Sequence, residues 1–409
     1  MRSTLTGRGC QILAAIAALF SLSLAKVEAT STFTDLHDFA GNTADGGNPA
    51  AEPILVGTTL YGTTTSGGSS GLGTIYSYDT LAENYQLQHS FVNTDDSSAP
   101  TGLVQGSGGL LYGFATGDYN DTGELFTFNT STNNTEPPPS DLIRLSPLPG
   151  YDETGVNGTP LLVGSTIYGT STGNAGSNVF SFALNSLDDV NQLYNFGNNR
   201  ASQNFDGPLV ASGSVIYGLA PWGSNNAGVI FSINTASNNA YSELHDFTTS
   251  DNPSTPNAGG LILSGNVLYG LMGKELFSYN LTTSTYSLLK TFAGTSPTET
   301  LTISNNVLYG IAGTATSTEA FAYKLSNNTT TQYVFDPSQS PIGGVQISNS
   351  VLYGVMSSGG ADGDGELYSL SLPLSGSSPP LPEPTAGVIG LGSCAILLKR
   401  RRLSARVTI

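Results

Sequence analysis

Cysteine is nearly missing from this chain. Its only two, Cys10 and Cys394, lie in apolar end segments, so no disulfide framework, cysteine–zinc cluster or thiol chemistry is available between them. Charge is also scarce, at 11% of 409 residues, and there is one tryptophan and only three histidines. Basic residues are sparsest in the middle. Arg2, Arg8 and Lys26 belong to the start and Lys399, Arg400, Arg401, Arg402 and Arg406 to the end. Arg144, Arg200, Lys274, Lys290 and Lys324 then face 29 acids, a net charge of −24. Such a surface repels phosphate backbones, which excludes nucleic acid as a partner. Its simplest role is solubility outside a cell.

What is abundant points to short strands and many turns. The chain has 50 glycines, 19 tyrosines and 17 phenylalanines. Disordered chains show the opposite, few aromatics and many charges.

Long apolar runs occur only at the ends. Residues 1–29 read as a secretory signal: Arg2 and Arg8, an apolar run from Ile12 to Leu24, then small residues offering cleavage after Ala25 or Ala29. An uncut signal anchor is the alternative, although the run is shorter than the roughly 20 residues a spanning helix needs. Residues 30–373 form the main domain and 374–384 a Pro/Ser linker containing Pro382-Glu383-Pro384. Residues 385–409 hold an apolar segment to Leu398 and then Lys399-Arg400-Arg401-Arg402. This tail resembles the PEP-CTERM sorting signal of bacterial exported proteins. The resemblance implies an exosortase, a membrane protease-transpeptidase, as processing partner. The basic cluster resists translocation and so stalls the preceding helix in the membrane. At about 1.5 Å per residue the segment falls short of a hydrocarbon core roughly 30 Å thick, which suits a temporary stop.

The middle is built on a recurring tripeptide, with its tyrosine at Tyr61, Tyr112, Tyr168, Tyr217, Tyr269, Tyr309 and Tyr353. The spacings are 51, 56, 49, 52, 40 and 44 residues, the scale of a four-stranded propeller blade. Tight-turn signals precede it, as in Ser264-Gly265-Asn266 and Ser304-Asn305-Asn306. A third strand with alternating character follows near Tyr76, Phe126, Phe180, Phe231, Phe277, Phe321 and Tyr368. Fourth strands end near Phe91, Leu148, Phe196, Phe247, Phe292 and Phe335, and the seventh unit has none. The missing strand is at the start, where Leu36-His37-Asp38-Phe39 matches Leu244-His245-Asp246-Phe247. These features predict an all-β, seven-bladed β-propeller of four-stranded blades, residues 33–39 pairing beside 366–372. An open β-solenoid is the alternative, but it would not need the displaced strand. The wording of the repeat, as in Leu36-His37-Asp38-Phe39 and Leu60-Tyr61-Gly62-Thr63-Thr64, resembles the bacterial GloVer tandem repeat. That resemblance implies tandem architecture and anchoring, and no activity.

Candidate chemistry is thin. His37, His89 and His245 share one repeat position in different blades, so they are expected to be structural and to form no triad. Two acidic loops offer hard-cation ligands, Asp118-Tyr119-Asn120-Asp121 with Glu124, and Asp362, Asp364 and Glu366. Each can equally be an ordinary loop, since the full calcium-binding pattern is absent. Trp222 is placed to stack on a sugar ring or to pack locally. No catalytic constellation or cofactor motif is recognisable. The functional expectation is an exported, surface- or matrix-associated, non-catalytic propeller that binds extracellular polysaccharide or a surface protein. The alternatives are a polysaccharide hydrolase or lyase with its site at the propeller channel, or a passive spacer.

Overall fold

The computed structural model describes residues 31–372, except 93–97, 117–123, 132–142, 145–153, 174–175, 198–206, 222, 224, 226, 249–257, 293–299, 315–316 and 337–338. The expected signal peptide, the expected linker and sorting tail, Trp222 and the Asp118–Asp121 loop therefore lie outside the described residues. Among the described residues no helix is long and apolar enough to cross a membrane.

The described chain forms a seven-bladed β-propeller. Its seven sheets each pair neighbouring strands in an antiparallel meander. Blade 5 shows the unit: Ala258–Ser264, Val267–Met272, Glu275–Asn280 and Thr285–Thr291, hydrogen-bonded in that order. Turns between first and second strands carry positive φ where the Gly/Asn signals stand: Gly265 at 59°, Asn305 at 49° and Asn306 at 63°. Blade 7 closes as the sequence predicts. Pro341–Ser348, Val351–Met356 and Glu366–Ser371 are followed in the sheet by Thr32–Asp38 from the other end of the domain. The register runs from Thr32 opposite Ser371 to Asp38 opposite Glu366.

Cross-strand register explains the glycine of the repeated tripeptide. Each of the seven glycines (62, 113, 169, 218, 270, 310 and 354) lies opposite the aromatic residue of its third strand. The partners are Tyr76, Phe126, Phe180, Phe231, Phe277, Phe321 and Tyr368, whose ring ends lie against the glycines. A Cβ on any of these glycines would come within 2.9 Å of that ring, so only hydrogen fits.

The same rings receive the neighbouring blade. In six of the seven blades a phenylalanine just after the fourth strand meets the third-strand aromatic of the next blade. The pairs are Phe39–Tyr76, Phe91–Phe126, Phe196–Phe231, Phe247–Phe277, Phe292–Phe321 and Phe335–Tyr368. Ring centroids are 4.7 to 5.5 Å apart, at angles of 44° to 74°, the edge-to-face and tilted geometry that aromatic quadrupoles favour. Phe39, Phe91, Phe247, Phe292 and Phe335 are at most 4% exposed, and Phe196 is partly buried. The core accordingly sits between blades. Leu60, Tyr76 and Tyr78 of blade 1, for example, cluster with Val355 and Leu367 of blade 7.

Blade 1 departs from the four-stranded expectation. Its first strand is split into Gly46–Pro49 and Ile54–Val56, both paired with Thr59–Gly67. Pro53 has no N–H to give the ladder, and the chain leaves the sheet at Ala50–Glu52.

Substituting Gly270 by Ala is expected to lower stability by about 1–3 kcal/mol, since the new methyl must displace the Phe277 ring. Urea denaturation measures this. Adding Phe277→Leu should make the double variant less unstable than the sum of the two single losses, and strict additivity would contradict the ring-against-glycine explanation.

Candidate functional site

Propeller ligands are sought first at the axis, and the first strands define it here. Register places Glu52, Gly102, Thr159, Pro208, Gly260, Thr300 and Gly344 at one equivalent position, two residues before the residue paired with each repeat tyrosine. These positions crowd together. A Cβ on Gly102 would strike Thr159 and approach Ala51, and one on Gly260 would meet Pro208 and Thr300. One on Gly344 would strike Thr300, and one on Gly343 the backbone of Ala51 and Glu52. Every adjacent pair of blades except 3 and 4 is thus in close approach at this level. The ring is small and uncharged except for one carboxylate. Glu52 accepts hydrogen bonds from Thr300 Oγ1 at 3.0 Å and from the Gly344 N–H at 3.2 Å.

The three histidines are placed on the outer strands, as their shared repeat position implies, and they do not converge. The His37 ring stacks on Tyr85 of blade 1 at 3.6 Å and 7°. His245 stacks on Tyr286 at 4.3 Å and 2°. Tyr194 takes the same role against Tyr241 at 4.0 Å, and Tyr333 stacks on Phe33 at 6.1 Å. This position thus stacks on the first aromatic of the next outer strand. His89 packs edge-on against Phe91.

His37 also anchors a polar network that sequence reasoning missed. Its Nε2 lies 3.1 Å from Asp45 Oδ2. The Asp45 carboxylate accepts from Tyr85 Oη at 2.6 Å, the Ala40 N–H at 3.0 Å and the Gly46 N–H at 2.7 Å. Burial pushes the Asp45 carboxyl up, but the bonds from His37, Tyr85 and Ala40 outweigh it and hold the group below its usual range. Asp45 carries no repeat motif, and although His37, Ala40 and Gly46 are close to it in the chain, Tyr85 reaches it from a fourth strand 40 residues away.

The second acidic loop divides its carboxylates. Asp362 is exposed at the tip, Asp364 lies against Gly41 and Gly47, and Glu366 is buried at the start of the third strand. Among the described residues no group of three or more His, Cys, Asp or Glu is placed to hold a metal ion. Glu124, from the other acidic loop, is likewise buried.

Glu366 faces a like charge instead. Asp38 is directly opposite it across the closing seam, and neither Glu366 Oε1 nor Asp38 Oδ1 has a hydrogen-bond partner. Burial, with Asp35 and Asp38 adding, pushes Glu366 up to about 7. Asp35 is raised too, by burial and then by Asp38.

With these shapes described, known proteins can be compared. No protein-family profile matches the chain, and no characterised protein matches it in sequence. Solved structures do resemble it. An extracellular domain from B. thetaiotaomicron assigned to a hybrid two-component system matches with a TM-score of 0.56 and 13% identity, covering 83% of this chain and 39% of that one. A puromycin-hydrolyzing peptidase of Mycobacterium tuberculosis matches at 0.54 and 11%, covering 83% and 54%. The AfRom2 CNH domain matches at 0.50 and 10%, covering 83% of this chain and 98% of that domain. At such identity the likeness concerns the fold. The chain spans about 40% of the length of the B. thetaiotaomicron domain.

Glu366 gives the closing seam a pH dependence. Its carboxyl titrates at about 7 in the fold against 4.5 as a free group, so the folded state holds an extra proton between those values. Stability from this group is therefore greatest below the lower value, falls as pH rises to the upper one, and is flat above. Unfolding free energies from urea denaturation at pH 5 and 8 should differ by about 2 kcal/mol in favour of pH 5, allowing for partial solvent screening. Glu366→Gln should remove most of that difference, and an undiminished slope in the variant would refute the assignment.

Proposed function

We propose that this chain is an exported, surface- or matrix-associated propeller that binds extracellular polysaccharide or a surface protein without transforming it. The axial ring carries the reading. Of its seven equivalent positions only Glu52 is acidic, and its carboxylate is engaged by Thr300 and Gly344. Polysaccharide hydrolysis or elimination at the channel needs at least two acid–base groups converging on one bond.

Supporting features come from the sequence. The acidic, cysteine-free middle suits an extracellular setting. The leader and the Pro382-Glu383-Pro384 tail with its basic cluster supply an export route and an exosortase-type processing enzyme. The apolar segment at 385–398 holds the chain at the membrane at least until processing. No cofactor enters this reading. Calcium at Asp362, Asp364 and Glu366 is a variable for the assay, and Trp222 is the side chain proposed for sugar contact.

The test uses the full chain expressed in an exporting bacterium. Mass spectrometry of the product should show a start at residue 26 or 30 and loss of everything beyond about Pro384. That product should then bind one or more bacterial exopolysaccharides or surface proteins, with calcium or with chelator, and leave polymer length unchanged. An intact basic tail would refute processing. Silence towards every surface polymer and protein tested would remove the binding role, and new chain ends in the polymer would favour the enzyme.

A further inference from the structure

Six junctions of the ring are held by polypeptide, because each fourth strand runs on into the first strand of the next blade. The junction between blades 7 and 1 has that continuity only while Thr32–Asp38 stays paired with Glu366–Ser371. If this strand lets go, non-covalent contacts alone remain. They include the apolar cluster of Leu60, Tyr76 and Tyr78 with Val355 and Leu367, and the bond from the Asn48 N–H to the Asp364 carbonyl at 2.6 Å. Glu52 adds a contact that differs from these.

At the axial position the other six blades carry Gly, Thr or Pro. The one long, charged side chain belongs to the blade that begins where the ring must close. It is also the side chain that reaches past its neighbour, bonding blade 7 through the Gly344 N–H and blade 6 through Thr300 Oγ1. The path exists because Gly343 and Gly344 have no side chains. A Cβ on Gly344 would strike Thr300 Oγ1, and one on Gly343 would strike the Glu52 N–H and approach its Oε2. Gly343 has φ +66°, a conformation that further favours glycine. Glu52 lies where the blade 1 ladder is interrupted between Pro49 and Ile54, an irregularity that the first strands of blades 2, 3, 5 and 7 share.

We propose that Glu52, seated in the Gly343–Gly344 notch, is an axial lock that closes the ring from inside, independently of the outer strand seam. Two locks then hold one junction, at opposite radial ends of blade 7. Opening the propeller requires both to release, and loss of the inner one exposes the outer to fraying.

Hydrogen exchange followed by mass spectrometry tests this on the full chain. Glu52→Ala should speed exchange about tenfold in peptides covering Thr32–Asp38 and Glu366–Ser371, with Thr166–Ala183 of blade 3 unchanged. Thr300→Val, which keeps shape and removes one donor, should act in the same direction more weakly, and it provides the test if Glu52→Ala fails to fold. Thr159→Ala, at the equivalent position of a chain-spanned junction, should leave the seam as it was. An unaltered seam in both Glu52→Ala and Thr300→Val, or a rise spread evenly over all seven blades, would overturn the lock.

Discussion

An aromatic ring packed against a glycine holds this molecule together. In every blade the end of the third-strand aromatic ring lies against the glycine of the second strand. The same aromatic takes the phenylalanine just after the previous blade's fourth strand, in six pairs around the propeller. Packing within a blade and packing between blades are therefore one interaction. A side chain at the glycine would tilt the ring, and a tilted ring would misfit the incoming phenylalanine. This dependence explains why the tripeptide persists while the loops vary in length.

Much of the architecture was legible in the sequence for that reason. The tripeptide and the ring-bearing third strand recur with a fixed register, and the unpaired Leu36-His37-Asp38-Phe39 marks where the circle closes. The sharing of one repeat position by His37, His89 and His245 also told correctly that they do not meet. What was not legible depends on contacts between residues far apart in the chain. That these histidines and their counterparts stack on the next outer strand emerges only when the blades are side by side. Asp45 belongs to no repeat motif, yet it gathers His37, Tyr85 and two backbone N–H groups. Glu52 stands out only once the first strands are aligned by register, because the position nine or ten residues before each repeat tyrosine carries no shared residue type that would mark it in the sequence. The split of the first strand in blade 1 has a local sign in Pro53.

The closing junction concentrates the unusual chemistry of the chain. Elsewhere the described junctions combine apolar rings with single hydroxyl-to-carbonyl bonds, such as Thr63 to Thr101 and Tyr279 to Leu244. Here the seam sets Asp38 against Glu366, the rim ties His37 to Asp45, and the axis ties Glu52 to Thr300 and Gly344. At the axial level Glu52 is the one acidic side chain among small or uncharged neighbours. The overall likeness to larger extracellular propeller-bearing proteins adds the fold to this picture and leaves the ligand to experiment.

Circular closure by the N-terminal strand is the central claim, and the described chain's lack of cysteine allows a direct measurement. Thr34 and Ser369 are cross-strand partners in the seam, close enough for a disulfide if both become cysteine. The double variant should oxidise readily while folded and then resist ring opening, with a raised midpoint of denaturation that reduction reverses. A pair that oxidises only after unfolding, or a disulfide that leaves the midpoint unmoved, would contradict the closure.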